Sequence, residues 1–266
     1  MFCSWGMYAV SPALREAWQR LHEEFLTHLR ISDRADSSLR FETGADALLD
    51  PALLLGHTCG YPLVTAFSDT HTPICVPLFD VDGTDGNCYS SAIVVRVSSS
   101  IKTLADAAGT TVAVNNEDSN SGMNVLRDRI AEDSEQQPFF GETRFSGGHR
   151  DSVVMVSRGE ADIAAIDCVT FALLRDIEPE LTDSVRVLGY TRHTTGLPFV
   201  IPKHNPLNLS PPDIIEALRT ALDALDEDQR STLRITDFAP VEMQDYQSIR
   251  DMEEAAQRRN HLPTAL

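Results

Sequence analysis

The sequence predicts an α/β protein built from two lobes. Short runs rich in apolar and β-branched residues alternate with longer segments whose apolar residues recur every three or four positions, a pattern typical of α/β folds. The length of 266 residues exceeds the usual size of one domain. Residues 92–193 hold their own set of strands and helices, so we expect one lobe there and the other at 1–91 with 194–266.

The elements follow in chain order. Apolar runs ended by glycine or polar residues predict strands at residues 4–10, 53–55, 73–79, 92–97, 111–115, 139–145, 163–166, 185–190 and 198–201. Leu14, Trp18 and Leu21 show the helical spacing in the first helix. The same spacing predicts helices at residues 12–29, 45–49, 103–108, 121–132, 151–158, 169–176, 211–225, 226–233 and 246–260.

The charge balance excludes several partner classes. The chain carries 22 Lys and Arg against 40 Asp and Glu, a formal net charge of -18. Such a surface repels nucleic acid and anionic lipid, because both require neutralisation of phosphate charge. No continuous apolar run reaches the roughly 18 residues that a membrane span needs. We therefore expect neither nucleic-acid binding nor a membrane span.

The cysteines and the N-terminus bear on the compartment. The five cysteines are an odd number without a C-x-x-C pair, which predicts neither a disulfide framework nor a structural zinc site. The first ten residues lack a basic segment followed by a continuous apolar one. We expect a cytoplasmic protein for the sequence as it stands, or a periplasmic one if a leader has been removed.

One strand-to-helix turn has the chemistry of an anion site. It consists of Ser119, Asn120, Ser121 and Gly122. Serine and asparagine cap helices well, and the first N–H groups of a helix lack internal partners. These donors and the positive end of the helix dipole bind anions without Lys or Arg. The alternative is a well-capped helix that binds nothing.

Two further residues lie at similar turns. His149 follows Gly147 and Gly148, which allow a close backbone approach. Asp167 ends an apolar strand, and ligands of open α/β sheets bind at such strand ends. His149 as a surface residue and Asp167 as a helix N-cap are the structural alternatives.

Aromatic and polar residues at other strand ends complete the candidate set. His57, Thr58 and Tyr61 follow the predicted strand at 53–55, Tyr8 ends the first strand, and Tyr89 precedes the second lobe. A tyrosine ring can form a wall for an organic group while its hydroxyl donates a hydrogen bond. Each tyrosine taken singly fits the core or the rim equally well.

Four ordered stretches carry a family resemblance. They are GHTCGYPL at 56–63, NNEDSNSGMNVLR at 115–127, SGGHRDSV at 146–153 and DIAAIDCVTFALL at 162–174. Together they resemble the PhnD-like substrate-binding proteins of phosphate, phosphite and phosphonate ABC transporters, over about residues 1–202. The resemblance implies the type II periplasmic-binding-protein fold: two α/β lobes joined by two crossover segments, with a cleft that closes on ligand by a hinge.

The resemblance also implies roles. In this family the serine-rich turn holds the phosphonate oxygens, a histidine at the position of His149 reaches the anion, and an aspartate such as Asp167 accepts from an amino group or a protonated oxygen. We therefore expect a binding protein for a small oxyanion, most simply a phosphonate. No cofactor is implied; the expected partners are the small-molecule anion and an ABC permease, and the expected state is a monomer or weak dimer.

Two alternatives remain open at this stage. Chorismate-dehydratase-like and thiamine-pyrimidine-synthase-like enzymes use the same scaffold without export. Cys59 and Cys168 neighbour candidate site residues, and a cysteine paired with His57 or His149 has the elements of a nucleophile and its base. No local catalytic cysteine signature supports that pairing. The second alternative is a sensing subunit that passes ligand-induced closure to a partner.

Overall fold

The chain separates into two units. The structure is a computed structural model that describes residues 1–29, 38–133, 138–204 and 209–258. The first unit comprises Met1–Asp80 and Gly196–Tyr246, and the second comprises Val81–Thr195 and the chain from Gln247 onward. The chain therefore crosses between units three times, after Asp80, after Thr195 and after Tyr246.

The described strands and helices follow the alternation seen in the sequence. In chain order the strands are β1 (Phe2–Ser4), β2 (Ser38–Arg40), β3 (Leu53–His57), β4 (His71–Phe79), β5 (Thr84–Asp85), β6 (Cys88–Tyr89), β7 (Ser91–Arg96), β8 (Thr111–Val114), β9 (Glu142–Phe145), β10 (Ile163–Asp167), β11 (Val185–Tyr190), β12 (Thr194–Thr195), β13 (Phe199–Pro202) and β14 (Ile235–Pro240). The α-helices are α1 (Pro12–His28), α2 (Ala45–Leu49), α3 (Gly60–Pro62), α4 (Val125–Asp133), α5 (His149–Arg158), α6 (Cys168–Ile177), α7 (Pro179–Thr182), α8 (Pro211–Ala224), α9 (Glu227–Leu233) and α10 (Gln247–Arg258).

Four shorter helical turns complete the set. Two are π-turns, Leu63–Phe67 and Asn120–Asn124, and two are 3₁₀-turns, Ala105–Ala107 and Met243–Tyr246. In the part of the chain that the structure describes, no helix is long and apolar enough to span a membrane.

The first unit is built on one mixed sheet. Its strand order is β14-β4-β13-β3-β1-β2. Helix α1 begins where Ser11 Oγ accepts from the Leu14 N–H at 3.2 Å, with Pro12 at the first helical position. Its apolar face, including Trp18 and Phe25, is buried, and α1 packs against α8 and α9. The apolar residues that recur every three or four positions in the sequence therefore form the buried face of α1.

The second unit is a three-layer α/β arrangement. Its main sheet has the order β11-β7-β10-β8-β9. Successive residues of β7 alternate between its two faces: Ile93 packs with the cluster around α4, and Val94 packs with the cluster around α5 and α6. Both faces are therefore covered by helices, which explains why these strands are continuously apolar.

Small differences from the predicted bounds have local causes. The predicted strand at 4–10 is wrong beyond Ser4, because the chain turns there and Gly6 lies against the backbone of Phe41. Strands β2, β5, β6, β12 and β14 carry no predicted counterpart. The predicted end of the last helix at residue 260 lies outside the described residues.

The unit boundaries differ from the predicted lobes in two places. Residues 81–91 belong to the second unit, where β5, β6 and β12 form a small separate sheet. Helix α10 also belongs there, because it packs on α4 and on the π-turn Asn120–Asn124. The remaining division, with a first unit resumed after about residue 195, follows the predicted plan.

Candidate functional site

Three helices of the second unit begin at one edge of its sheet. Strands β8, β9 and β10 run parallel, with β8 paired to both of the others. Their carboxyl ends therefore share an edge, and they lead into the π-turn before α4, into α5 and into α6. Helix N-termini present unpaired N–H groups and a positive dipole end. The edge thus has anion-binding chemistry in its backbone, and Arg150 in the first turn of α5 is paired with Glu178.

The predicted serine turn has a defined cap geometry. Ser119 Oγ accepts from the Gly122 N–H at 3.0 Å. The first π-type hydrogen bond runs from the Asn124 N–H to the Ser119 carbonyl at 3.1 Å. The N–H groups of Asn120 and Ser121 precede that bond and have no intrahelical acceptor. All of these residues are buried, so the turn is a set of donors in a low-dielectric environment.

His149 lies directly beside this turn. Its Nε2 is 2.7 Å from Ser121 Oγ, which in turn is 3.4 Å from Ser119 Oγ. Gly147, at φ 87°, provides the left-handed turn that leads from β9 to α5. The residue is partly exposed, but its Nδ1 is buried. Burial lowers the pKa of His149 to about 4, although a hydrogen bond to the backbone of Ala165 acts in the opposite direction. At neutral pH the ring is therefore an uncharged hydrogen-bonding group.

Asp167 lies at the end of β10, the strand that packs next to the π-turn. Its side chain is buried, and Oδ1 accepts from the Thr170 N–H at 2.8 Å. Asp167 is thus the N-cap of α6, the structural alternative raised from the sequence. As a cap, the Asp167 carboxylate nevertheless lies at the same sheet edge as the turns that precede α4 and α5.

Asn120 and Tyr89 are also brought together. Asn120 Nδ2 donates to Tyr89 Oη at 3.1 Å and to Thr194 Oγ1 at 3.0 Å. Both amide hydrogens of Asn120 are therefore used within the protein. Tyr89 and Thr194 are paired residues of β6 and β12, in the small sheet.

In the first unit, His57 is a core residue. Its ring stacks on Phe199 with centroids 4.5 Å apart and planes 7° apart, and Tyr8 lies 5.6 Å away. Nε2 contacts the Leu197 carbonyl at 3.2 Å, which makes this nitrogen the protonated one. Burial lowers the pKa of His57 to about 3, opposed by that hydrogen bond. The ring is neutral and part of an aromatic cluster.

Thr58 and Tyr61 follow β3 as the sequence predicts. The Thr58 N–H donates to the Pro198 carbonyl at 3.1 Å, which ties the loop to the chain before β13. Tyr61 lies in α3, and its carbonyl accepts from Thr65 Oγ1 at 2.8 Å. Both side chains are buried.

The cysteines lack the environment of a nucleophile. Cys168 is buried at the start of α6, and burial together with the charge of Asp167 raises its thiol pKa to about 12. A thiol with so high a pKa is protonated at neutral pH, and the thiolate is the reactive form. Cys59 is also buried. Within the described ranges, no group of three or more His, Cys, Asp or Glu residues could hold a metal ion.

Two polar residues that the sequence reasoning missed lie behind the turn. Asn124 Oδ1 accepts from Arg127 Nη2 at 3.0 Å, and Asn124 Nδ2 donates to Asn120 Oδ1 at 3.1 Å. Both side chains are 1% exposed. Asn124 lies four residues after Asn120 and Arg127 three residues after Asn124, which places all three on one helix face. Polar residues at this core spacing were the available signal.

Comparison with known proteins agrees with this architecture. Residues 8–246 match the family described as "ABC transporter, phosphonate, periplasmic substrate-binding protein". No curated protein sequence matches the chain. A binding protein component of an ABC phosphonate transporter from Pseudomonas aeruginosa is similar in structure, with a TM-score of 0.76 and 17% identity over 97% of this chain and 86% of that one.

Two further solved structures are similar over nearly their whole length. PhnD1 from Prochlorococcus marinus, in complex with methylphosphonate, gives a TM-score of 0.69 at 15% identity over 98% of this chain and 97% of its own. The alkanesulfonate-binding protein SsuA from Xanthomonas axonopodis pv. citri, bound to MOPS, gives 0.71 at 16% identity over 99% and 94%. These neighbours have the type II periplasmic-binding-protein fold, which confirms the predicted fold class.

The family match bears on the enzyme alternative left open by the sequence. It spans most of the chain, and the family consists of substrate-binding transport proteins rather than enzymes. Neither the comparisons nor the buried thiols support the enzyme alternative. The chain belongs to the family of periplasmic phosphonate-binding proteins of ABC transporters.

Proposed function

We propose that this protein binds a small organic phosphonate at the shared edge of β8, β9 and β10 in the second unit. The single observation that carries the proposal is the hydrogen-bonded series from Ser119 through Ser121 to His149. It lies where the π-turn and α5 begin, so hydroxyls, backbone N–H groups and an imidazole are concentrated in one place. Such an array suits the oxygens of a tetrahedral anion.

The roles within the site follow from each group's capacity. Ser119, Ser121, the Gly122 region and His149 donate to the anion oxygens. Asp167 accepts a hydrogen bond from the ligand, either from a P–OH group or from an ammonium group on the organic part. A carboxylate repels a fully ionised anion, so Asp167 favours a phosphonate that still carries one proton over a sulfonate, which carries none.

Residues of the first unit complete the predicted set. We propose that Tyr8, His57, Thr58 and Tyr61 contribute to recognition of the organic group, as the family resemblance implies. Their support is the position of His57, Thr58 and Tyr61 at and just after the end of β3, and the proximity of the Tyr8 and His57 rings. For Tyr89 and Asn120 the direct hydrogen bond between them supports a role in holding the turn.

Ligand binding tests this proposal. Thermal unfolding and calorimetry are carried out with methylphosphonate, methanesulfonate and inorganic phosphate. A ligand at about 100 times its Kd adds about 2.7 kcal/mol to the free energy of unfolding. We expect methylphosphonate to stabilise the protein most; absence of stabilisation by all three anions contradicts the proposal.

The Asp167→Asn variant tests the assigned selectivity. Asparagine caps a helix as well as aspartate does, so α6 retains its start. The loss of the carboxylate removes both the proton acceptor and the repulsion of ionised ligands. We expect weaker methylphosphonate binding and stronger methanesulfonate binding. Equal changes for the two ligands would show that Asp167 acts only as a cap.

We further propose that the protein works in the periplasm and delivers its ligand to an ABC permease, as a monomer or weak dimer. The support is the family to which it belongs. Cell fractionation with an antibody against the protein tests the compartment. Analytical ultracentrifugation tests the oligomeric state, and co-purification with an ABC permease from the same organism tests the partner.

A further inference from the structure

A chain of buried polar side chains runs behind the proposed anion-binding turn. Arg127 donates to Asn124, Asn124 donates to Asn120, and Asn120 donates outward. Asn120 is 0% exposed, and Asn124 and Arg127 are each 1% exposed. Buried amides and guanidinium groups are costly unless they are hydrogen-bonded. Such a chain therefore calls for a specific role.

The hydrogen bonds that link Arg127, Asn124 and Asn120 all run in one direction. The guanidinium can only donate, so Asn124 must present its oxygen to Arg127 and its amide to Asn120. Asn120 must in turn present its oxygen to Asn124, which turns its own amide toward Tyr89 and Thr194. Arg127 at one end thus fixes the orientation of the Asn120 carboxamide at the other.

The polar side chains behind the turn also contact three separate segments of the second unit. Asn120 donates to Tyr89 and Thr194, which are paired in the small sheet, and Thr194 comes two residues before the first unit resumes at Gly196. Asn124 Nδ2 also donates to the Ile249 carbonyl at 3.3 Å, in the first turn of α10 and three residues after the chain leaves the first unit at Tyr246. These hydrogen bonds therefore tie the turn to β6, β12 and α10.

The turn itself is part of this arrangement. Asn120 and Asn124 are the first and last residues of the π-turn, and a π-turn inserted in a helix is frequently found at functional sites. Ser121, whose hydroxyl contacts His149, lies directly after Asn120. The hydrogen bonds of the Asn120 side chain therefore restrain the backbone that carries the anion donors.

We propose that Asn124 and Arg127 are positioning residues: they hold the Asn120 amide against Tyr89 and Thr194, so that the binding turn keeps one geometry relative to the small sheet and α10. The part of this inference that concerns affinity rests on the proposed function. Neither residue contacts the ligand. Their effect reaches it through Asn120 and the backbone of the turn.

The first experiment uses the unliganded protein and does not depend on any ligand. In ¹⁵N-labelled protein, hydrogen exchange of the Asn120 side-chain amide is measured by NMR, with the resonance assigned by its loss in Asn120→Asp. We expect slow exchange in the wild type. Exchange should be at least about tenfold faster in Asn124→Ala, because the fixed orientation is lost.

The second experiment measures methylphosphonate affinity by calorimetry. Loss of one or two buried hydrogen bonds of ordinary strength corresponds to about tenfold weaker binding, which we expect for Asn124→Ala and for Arg127→Met. Arg127→Lys should recover most of the affinity, because a single donor to Asn124 is needed. Arg129→Met, the same change on the exposed side of α4, is the control and should bind as the wild type does.

The outcomes separate the two proposals. If the wild type does not bind methylphosphonate, the proposed function fails, and the exchange experiment still decides the positioning role. If Asn124→Ala does not fold, Thr194→Val replaces it, because this near-isosteric change removes one acceptor of the Asn120 amide. Unchanged Asn120 exchange in either variant overturns the inference, as does unchanged affinity in a wild type that binds.

Discussion

Protonation of the buried histidine His22 should make the protein less stable in mild acid. The ring is 1% exposed in α1 and packs edge-on against Trp5 at 5.3 Å. Among the described residues neither ring nitrogen has a hydrogen-bond partner. Burial therefore lowers the pKa of His22 to about 4, opposed in part by the charge of Glu23.

The size of the effect follows from the pKa difference between the folded and unfolded chain. An unfolded histidine titrates near pH 6.5. The stabilisation from the neutral ring is present in full above that pH and is lost progressively as the pH falls toward 4. Each pH unit in this range lowers the free energy of unfolding by about 1.36 kcal/mol, so it falls by about 2 kcal/mol between pH 6.5 and pH 5.

Urea unfolding at pH 7 and pH 5 measures this contribution in the wild type and in His22→Phe. Phenylalanine keeps an aromatic edge against Trp5 and cannot be protonated. We expect the variant to lose about 2 kcal/mol less than the wild type between the two pH values. Carboxylates and His57 titrate in both proteins, so their contributions cancel.

The control is His28→Gln, an exposed histidine on the same helix. Its solvation changes little on unfolding, so this variant should follow the wild-type pH dependence. The reasoning is refuted if the free energy of unfolding of His22→Phe falls between pH 7 and pH 5 as much as that of the wild type does. It is also refuted if His28→Gln reduces this fall as much as His22→Phe does.

Three further predictions concern the second unit. At Gly83, φ is 96° and an added Cβ would lie within 3.0 Å of three side chains. Gly83→Ala should therefore lower the free energy of unfolding, measured by urea titration, by about 2 kcal/mol. The control Gly86→Ala, whose added Cβ has no neighbour within 4 Å, should lower it by less. At Gly122 an added Cβ would lie 1.8 Å from Asn115 Oδ1. Gly122→Ala should therefore weaken methylphosphonate binding about tenfold in calorimetry, which corresponds to the loss of about one charge-assisted hydrogen bond. Unchanged affinity would place the ligand elsewhere. Saturating methylphosphonate should raise the pKa of His149 above about 4 in an NMR titration, because an adjacent anion favours the imidazolium; an unchanged pKa would show that the ring does not face the anion.

The helices and apolar strands were predictable from the sequence because burial imposes a period on them. The strand at residues 185–190 was predicted with the bounds that the structure has, and α1 and α8 differ from prediction by one residue at the C-terminal end. Strands of two or three residues show no period at all. For that reason β5, β6 and β12 were missed, and with them the assignment of residues 81–91 to the second unit.

The proposed site could be outlined from the sequence where a turn carries several donors at once. The serine turn and His149 are neighbours because β8 and β9 are parallel partners, which the alternation of strands and helices already implied. Charge state was not predictable. Burial, which depends on long-range packing, lowers the pKa of His149 to about 4, so its ring is neutral at pH 7.

The buried polar chain explains why the binding turn does not need surface charge. A chain with a net charge of -18 repels an approaching anion at long range, but screening confines that field to about 8 Å at physiological salt. In the proposed site the anion would meet helix N-termini and hydroxyls already held by hydrogen bonds. Arg127 lies behind them, and none of the described carboxylates lies within ion-pair distance of it. Its charge is less screened in a low-dielectric interior than at the surface, so it would favour an anion at the turn.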